Sequence, residues 1–65
     1  MGDAETVGRV HGKHDTYVVK KRSGVFSTDY YIVRESDGKT FGSYNSKASA
    51  FEAAHEKAGP ESFES

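Results

Sequence analysis

Asn45-Ser46-Lys47-Ala48-Ser49-Ala50-Phe51-Glu52-Ala53-Ala54-His55-Glu56-Lys57-Ala58-Gly59-Pro60 decides how this chain folds. Ser46 is an N-cap whose hydroxyl accepts a first-turn backbone N–H, and Asn45 offers the same chemistry. Ala50, Phe51, Ala54 and Ala58 recur at helical spacing on one face, while Ser49, Glu52 and Glu56 fall elsewhere. Gly59 suits the left-handed position just past a helix end, and Pro60 cannot continue the helix. The spacing therefore predicts one capped, alanine-rich helix with Phe51 as its single large anchor. Small side chains let such a helix lie close to a sheet.

Working backward, Thr40 to Tyr44 follows Ser36-Asp37-Gly38-Lys39, and Tyr30-Tyr31-Ile32-Val33-Arg34-Glu35 precedes it. Asp-Gly between two strand patterns predicts a type I′ hairpin, whose two central residues both need positive φ. That loop sets a register pairing Arg34 with Phe41, Ile32 with Ser43 and Tyr31 with Tyr44. One face then carries Tyr30, Ile32, Arg34, Phe41 and Ser43. The other carries Tyr31, Val33, Glu35, Thr40, Gly42 and Tyr44. A glycine inside a strand often marks close backbone approach. A helix lying over Gly42 makes the Tyr31, Val33, Tyr44 face the core. Thr16 to Arg22, rich in β-branched residues and tyrosine, reads as a further strand, with Ser23-Gly24 as a turn. The expected fold is α+β: a three-stranded antiparallel sheet packed against one C-terminal helix, in the order β-β-β-α. Residues 1–14 are expected to form a flexible arm, in which Val7 to Val10 can add a strand edge, 15–60 the domain, and 61–65 a polar tail into which Phe63 folds back.

The chain has 65 residues and no cysteine, so a disulfide or thiolate metal site has no ligand to build on. A domain this short is marginally stable, and a homodimer is one way to bury more surface. No apolar run is long enough to span a bilayer, and the small, acidic start lacks the features of a signal peptide. The expected setting is soluble and cytoplasmic.

Charge is uneven beneath the net −1. Residues 1–6 carry Asp3 and Glu5, for −2. Residues 7–44 carry seven cations (Arg9, Lys13, Lys20, Lys21, Arg22, Arg34, Lys39) against Asp15, Asp29, Glu35 and Asp37, for +3. Residues 45–65 carry Lys47 and Lys57 against four glutamates, for −2. The sheet is thus basic and the helix and tail acidic, a balance that admits an anionic partner. Lys20, Arg22, Arg34 and Lys39, with Tyr30 as an aromatic contact, are the candidate nucleic-acid-binding residues. Cations contact phosphates and aromatics stack on unpaired bases. The same cations also serve to protect an exposed strand from edge pairing.

No catalytic residue, metal or cofactor is expected. His11-Gly12-Lys13-His14 sits in a glycine-containing arm with few carboxylates to complete a ligand set. His55 lies beside the apolar stripe and lacks a partner in sequence, and so small a domain has little room for an active-site pocket. A single glycine in Ser36-Asp37-Gly38-Lys39 is not a phosphate loop.

Gly42-Ser43-Tyr44-Asn45-Ser46, followed by Ala50 and Ala54, is similar to the Gly-Thr-Phe-Asp-Thr and alanine-rich helix of the plant ethylene-response-factor DNA-binding domain. Arg34 falls where that family has an arginine late in its second strand. The likeness covers Tyr30 to Gly59 and extends to the arm-binding domains of tyrosine integrases. It implies three antiparallel strands on one helix, with DNA read by the sheet. The family's sheet tryptophans are missing, and Lys20, Lys21 and Arg22 only partly match its arginine-rich first strand. Tyr17-Val18-Val19 and Ser46-Lys47-Ala48-Ser49-Ala50 also resemble a family of short uncharacterised prokaryotic proteins of the same element order, which implies a fold and no function. The leading expectation is a non-enzymatic nucleic-acid-binding module. The rival is a protein-interaction or inhibitor module, of the kind phages encode, docking a protein or a second copy of itself.

Overall fold

Helix α1 spans Lys47–Ala58 and ends as its sequence dictates. Ser46 caps it, its Oγ accepting from the Ser49 backbone N–H at 3.1 Å. Gly59 terminates it at φ 109°, and its N–H closes the last turn on the His55 carbonyl at 2.9 Å. The basic His55 and Lys57 lie in the last turn, where the helix dipole favours them. This computed structural model describes residues 4–65, so the first three residues of the expected arm lie outside it.

The helix covers an antiparallel sheet of five strands, two more than expected. In chain order they are β1 (Ala4–His11), β2 (Thr16–Ser23), β3 (Thr28–Arg34), β4 (Thr40–Tyr44) and β5 (Phe63–Glu64). Their spatial order is β4-β3-β2-β1-β5. Both extra strands come from segments expected to be arm and tail. The first lengthens the strand edge expected at Val7 to Val10, and Gly8 within it and Gly12 just past it are where the helix comes close. A Cβ on Gly8 would lie 2.5 Å from the Phe51 ring, and one on Gly12 would lie 2.5 Å from the Ala58 carbonyl oxygen. Close approach at Gly42 was expected instead. There a Cβ would meet the Tyr44 ring at 2.6 Å, and no helix atom is nearest.

The β3–β4 register is also corrected. Ile32 pairs with Phe41 and Val33 with Thr40, two residues away from the type I′ register. The loop holds four residues, Glu35 to Gly38. It is closed by Arg34 N–H to Lys39 carbonyl at 2.8 Å and Gly38 N–H to Arg34 carbonyl at 2.7 Å. Gly38 alone takes positive φ there, at 74°. Asp37 uses its carboxylate rather than its backbone, accepting from the Lys39 N–H at 3.0 Å. Past this hairpin a bulge at Gly42 and Ser43, opposite Tyr31, brings Tyr44 level with Tyr30. One extra residue reverses the side-chain alternation, so Phe41 and Tyr44 both reach the same face.

That face is the one with Ile32, which corrects the expected core. Val10, Tyr17, Val19 and Ile32 from the sheet meet Ala50 and Ala54 from the helix, all buried. Val7, Tyr30, Phe41, Tyr44, Phe51, Ala53 and Ala58 pack around them. Burying these side chains is the main favourable term in holding the fold. Phe63 does fold back, stacking on His11 with ring centroids 5.1 Å apart.

Candidate nucleic-acid interface

With Tyr17, Val19 and Ile32 under the helix, strand alternation sends Val18, Lys20, Arg22, Tyr31 and Val33 to the opposite, uncovered face. Lys20 lies across from Tyr31 on one side and Thr6 on the other. The Arg22 guanidinium lies over the Tyr31 ring, 5.4 Å from its centroid, and sits 3.7 Å from Asp29. Both partners of that ion pair are about half exposed, so screening by water keeps it weak. Among the described residues, neither Lys20 nor Lys21 pairs with a carboxylate. Val18 and Val33 pair side by side beneath this charge, and Val18 is buried although no helix covers it. Arg9 lies next to Val18 and is engaged by Glu35 at 3.4 Å.

The five candidate residues do not converge. Lys20 and Arg22 share the uncovered face. Tyr30 packs against the core on the helix side. Arg34 is gripped by Asp37, with Nε to Oδ1 at 3.0 Å and Nη2 to Oδ2 at 2.6 Å, and Asp15 lies 4.0 Å away. That bidentate pairing holds the Asp37 carboxyl down at about 2 and raises the Arg34 guanidinium. Arg34 is therefore a brace of the β3–β4 loop. Lys39 lies over the Phe41 ring at 5.4 Å, sharing it with Arg34 at 5.5 Å and Lys57 at 4.2 Å. Asp15 ties the same loop to β2. It accepts from Ser36 Oγ at 2.6 Å and from the Thr16 N–H at 2.9 Å. The Ser36 hydrogen bond is the chief reason its carboxyl lies below the ordinary range.

Two features escaped the sequence. Tyr31, not Tyr30, is the aromatic beside Lys20 and Arg22, because the β2–β3 register sets it opposite Lys20 on the uncovered face. The other is the β2–β3 tip. There Gly24 N–H donates to the Ser27 carbonyl at 2.7 Å, and Val25 and Phe26 project 90% and 98% exposed.

His55, at the far end of the helix, bonds Ser62 Oγ through Nδ1 at 2.7 Å and Glu64 through Nε2 at 2.8 Å. The outline is that of a serine, an imidazole and a carboxylate. It borders a shallow hollow of ≈ 350 Å³ lined by Glu52, His55, Glu56, Gly59, Pro60 and Ser62. A nucleophile must give its proton to the imidazole. Ser62 Oγ has a second acceptor in the Gly59 carbonyl, 2.8 Å away. The arrangement works as a clasp holding β5 to α1. Among the described residues no three His, Asp or Glu side chains cluster as a metal site, and no helix is long and apolar enough to cross a membrane.

Comparison with protein-family models, with curated proteins and with solved structures finds no match to this chain.

Proposed function

We propose that the protein is a non-enzymatic binding module that holds nucleic acid against the uncovered face of its sheet. Lys20 and Arg22 contact phosphates, and Tyr31 offers an aromatic surface between them. The observation that carries this reading is the placement of carboxylate-free Lys20 and of Arg22 around Tyr31, on the face the helix leaves open. Lysine and arginine supply the salt-dependent part of such binding, and stacking supplies a sequence-tolerant part. The chain's lack of cysteine suits a reducing cytoplasm, where we place it.

Titrating labelled single-stranded and duplex DNA at low salt tests the reading. With two phosphate contacts, the logarithm of affinity falls with the logarithm of salt at a slope of roughly −1.4 on the single strand and −1.8 on the duplex. Absence of binding, or binding indifferent to salt, sinks it.

A second reading rests on β4, which lies at one edge of the sheet with its outer backbone groups unpaired by any described strand. An edge strand can take a partner's strand or that of a second copy. Sedimentation showing a concentration-dependent dimer, lost when Ser43 is replaced by proline, favours that reading instead.

A further inference from the structure

Phe26 and Val25 contribute nothing to the core and are more exposed than any other large apolar side chain among the described residues. Strands β2 and β3 pair as far as Ser23 with Thr28. The four-residue loop beyond them, Gly24 to Ser27, closes tightly through the Gly24–Ser27 hydrogen bond. A Cβ on Gly24 would lie 2.9 Å from the Ser27 carbonyl oxygen, so the glycine is what permits this turn. The turn has no apolar neighbour to fold onto, and both side chains stand in water. Directly behind them, β2 carries Lys20, Lys21 and Arg22 in succession. Lys20 and Arg22 point to the uncovered face, and Lys21, opposite Tyr30, to the other. The tip is therefore an aromatic finger with cations on both sides of its base. Asp29, held by Arg22, and Glu5, opposite Lys21, are the nearby acids among the described residues.

We infer that the Gly24–Ser27 tip is a base-stacking finger, in which Phe26 packs on an unpaired base while Lys20, Lys21 and Arg22 hold the flanking phosphates. The inference rests on the nucleic-acid reading and narrows it to strands that expose a base face. An aromatic ring in a cationic collar matches a nucleotide, which is flat and apolar above the base and anionic at the phosphate. A protein hot spot would instead place the aromatic within a surface that excludes water around it, and this tip stands alone.

Because Phe26 touches no core residue, replacing it leaves stability intact, and binding can be read without loss of fold. The experiment is fluorescence anisotropy with a labelled oligothymidylate of about 16 nucleotides and a duplex of the same length. It compares the full chain with Phe26→Ala and Phe26→Trp. Phe26→Ala is expected to bind the single strand at least about tenfold more weakly while losing little on the duplex. The chain has no tryptophan, so Phe26→Trp places one reporter at the tip. Its emission is expected to be quenched by the oligothymidylate.

Equal affinity of Phe26→Ala and the unaltered chain for the single strand overturns the finger and leaves the sheet-face reading standing. Failure of the unaltered chain to bind either DNA overturns both. A blue shift of the Phe26→Trp emission with phosphatidylglycerol vesicles, without quenching by DNA, overturns the finger in favour of a membrane-inserting tip.

Discussion

Gly12 shows how a single side chain decides the packing here. A methyl there would meet the Ala58 carbonyl oxygen at 2.5 Å and its Cα at 3.0 Å, both backbone atoms that cannot move alone. Gly12→Ala must lift the C-terminal turn of α1 and is expected to cost about 1–3 kcal/mol, read as a lower urea midpoint. Gly38→Ala meets nothing within 4 Å and bears only the strain of φ 74°, about 1–2 kcal/mol. If Gly12→Ala leaves the urea midpoint unchanged, the helix does not lie where we place it. Asp37 gives a second test at this scale. Its carboxyl titrates at about 2 in the folded chain, against the ordinary 3.8, because Arg34 holds its charged form. The unfolded chain thus takes up that proton first as pH falls. The Asp37–Arg34 contribution is complete above about pH 4 and disappears toward about pH 2. Asp37→Asn is expected to flatten this part of the acid-unfolding curve. An unchanged curve means the pair contributes nothing.

Among elements, the helix was legible because its signals are local: a serine cap, a glycine stop and alanines at helical spacing. The strand pattern of β2 and β3 was legible for the same reason. The hairpin was not, since Asp37-Gly38 suits a two-residue turn as well as the four-residue loop observed. Its register was decided by Asp37's side-chain bonds to Arg34 and Lys39. The core face was misread because Gly42 marks a bulge packed against Tyr44 and not a close approach of the helix. Gly8 in β1 and Gly12 just past it look like looseness and are contact points for Phe51 and Ala58. For the candidate site, Lys20 and Arg22 could be read from alternate spacing on one strand. Tyr31, and the loss of Arg34 to a loop brace, needed the tertiary fold. The short β5 depends on side chains of two histidines. His55 binds Ser62 and Glu64, while His11 stacks on Phe63 and bonds Ser65. His55→Ala is expected to speed exchange of the Ser65 amide, which donates to the Arg9 carbonyl at 2.9 Å. Amides of β2 and β3 should keep their protection. Equal acceleration throughout would show the clasp is part of the global core.

At the scale of the whole molecule, the helix sorts the surface into two halves. One side of the sheet is filled by α1 and its anchor Phe51. Lys57, Lys39 and Arg34 gather there around Phe41. The other side is a bare sheet with Lys20 and Arg22 around Tyr31, extended by the Val25–Phe26 tip. Sequence-level charge counting merged these two groups of cations into one basic sheet. The fold separates them. Reversing charge at Lys20 and Arg22 together should therefore weaken nucleic-acid binding by at least about tenfold. Reversal at Lys57, on the helix, should have little effect. Anisotropy titration of both variants at one fixed salt concentration separates the two surfaces. The most direct measurement is amide chemical-shift mapping as unlabelled oligothymidylate is added to the isotope-labelled chain. The uncovered face is expected to respond, with shifts at Lys20, Arg22, Tyr31 and the Gly24–Ser27 tip, and α1 unmoved. Shifts confined to α1 and the β4 edge, or none at saturating oligonucleotide, would contradict it.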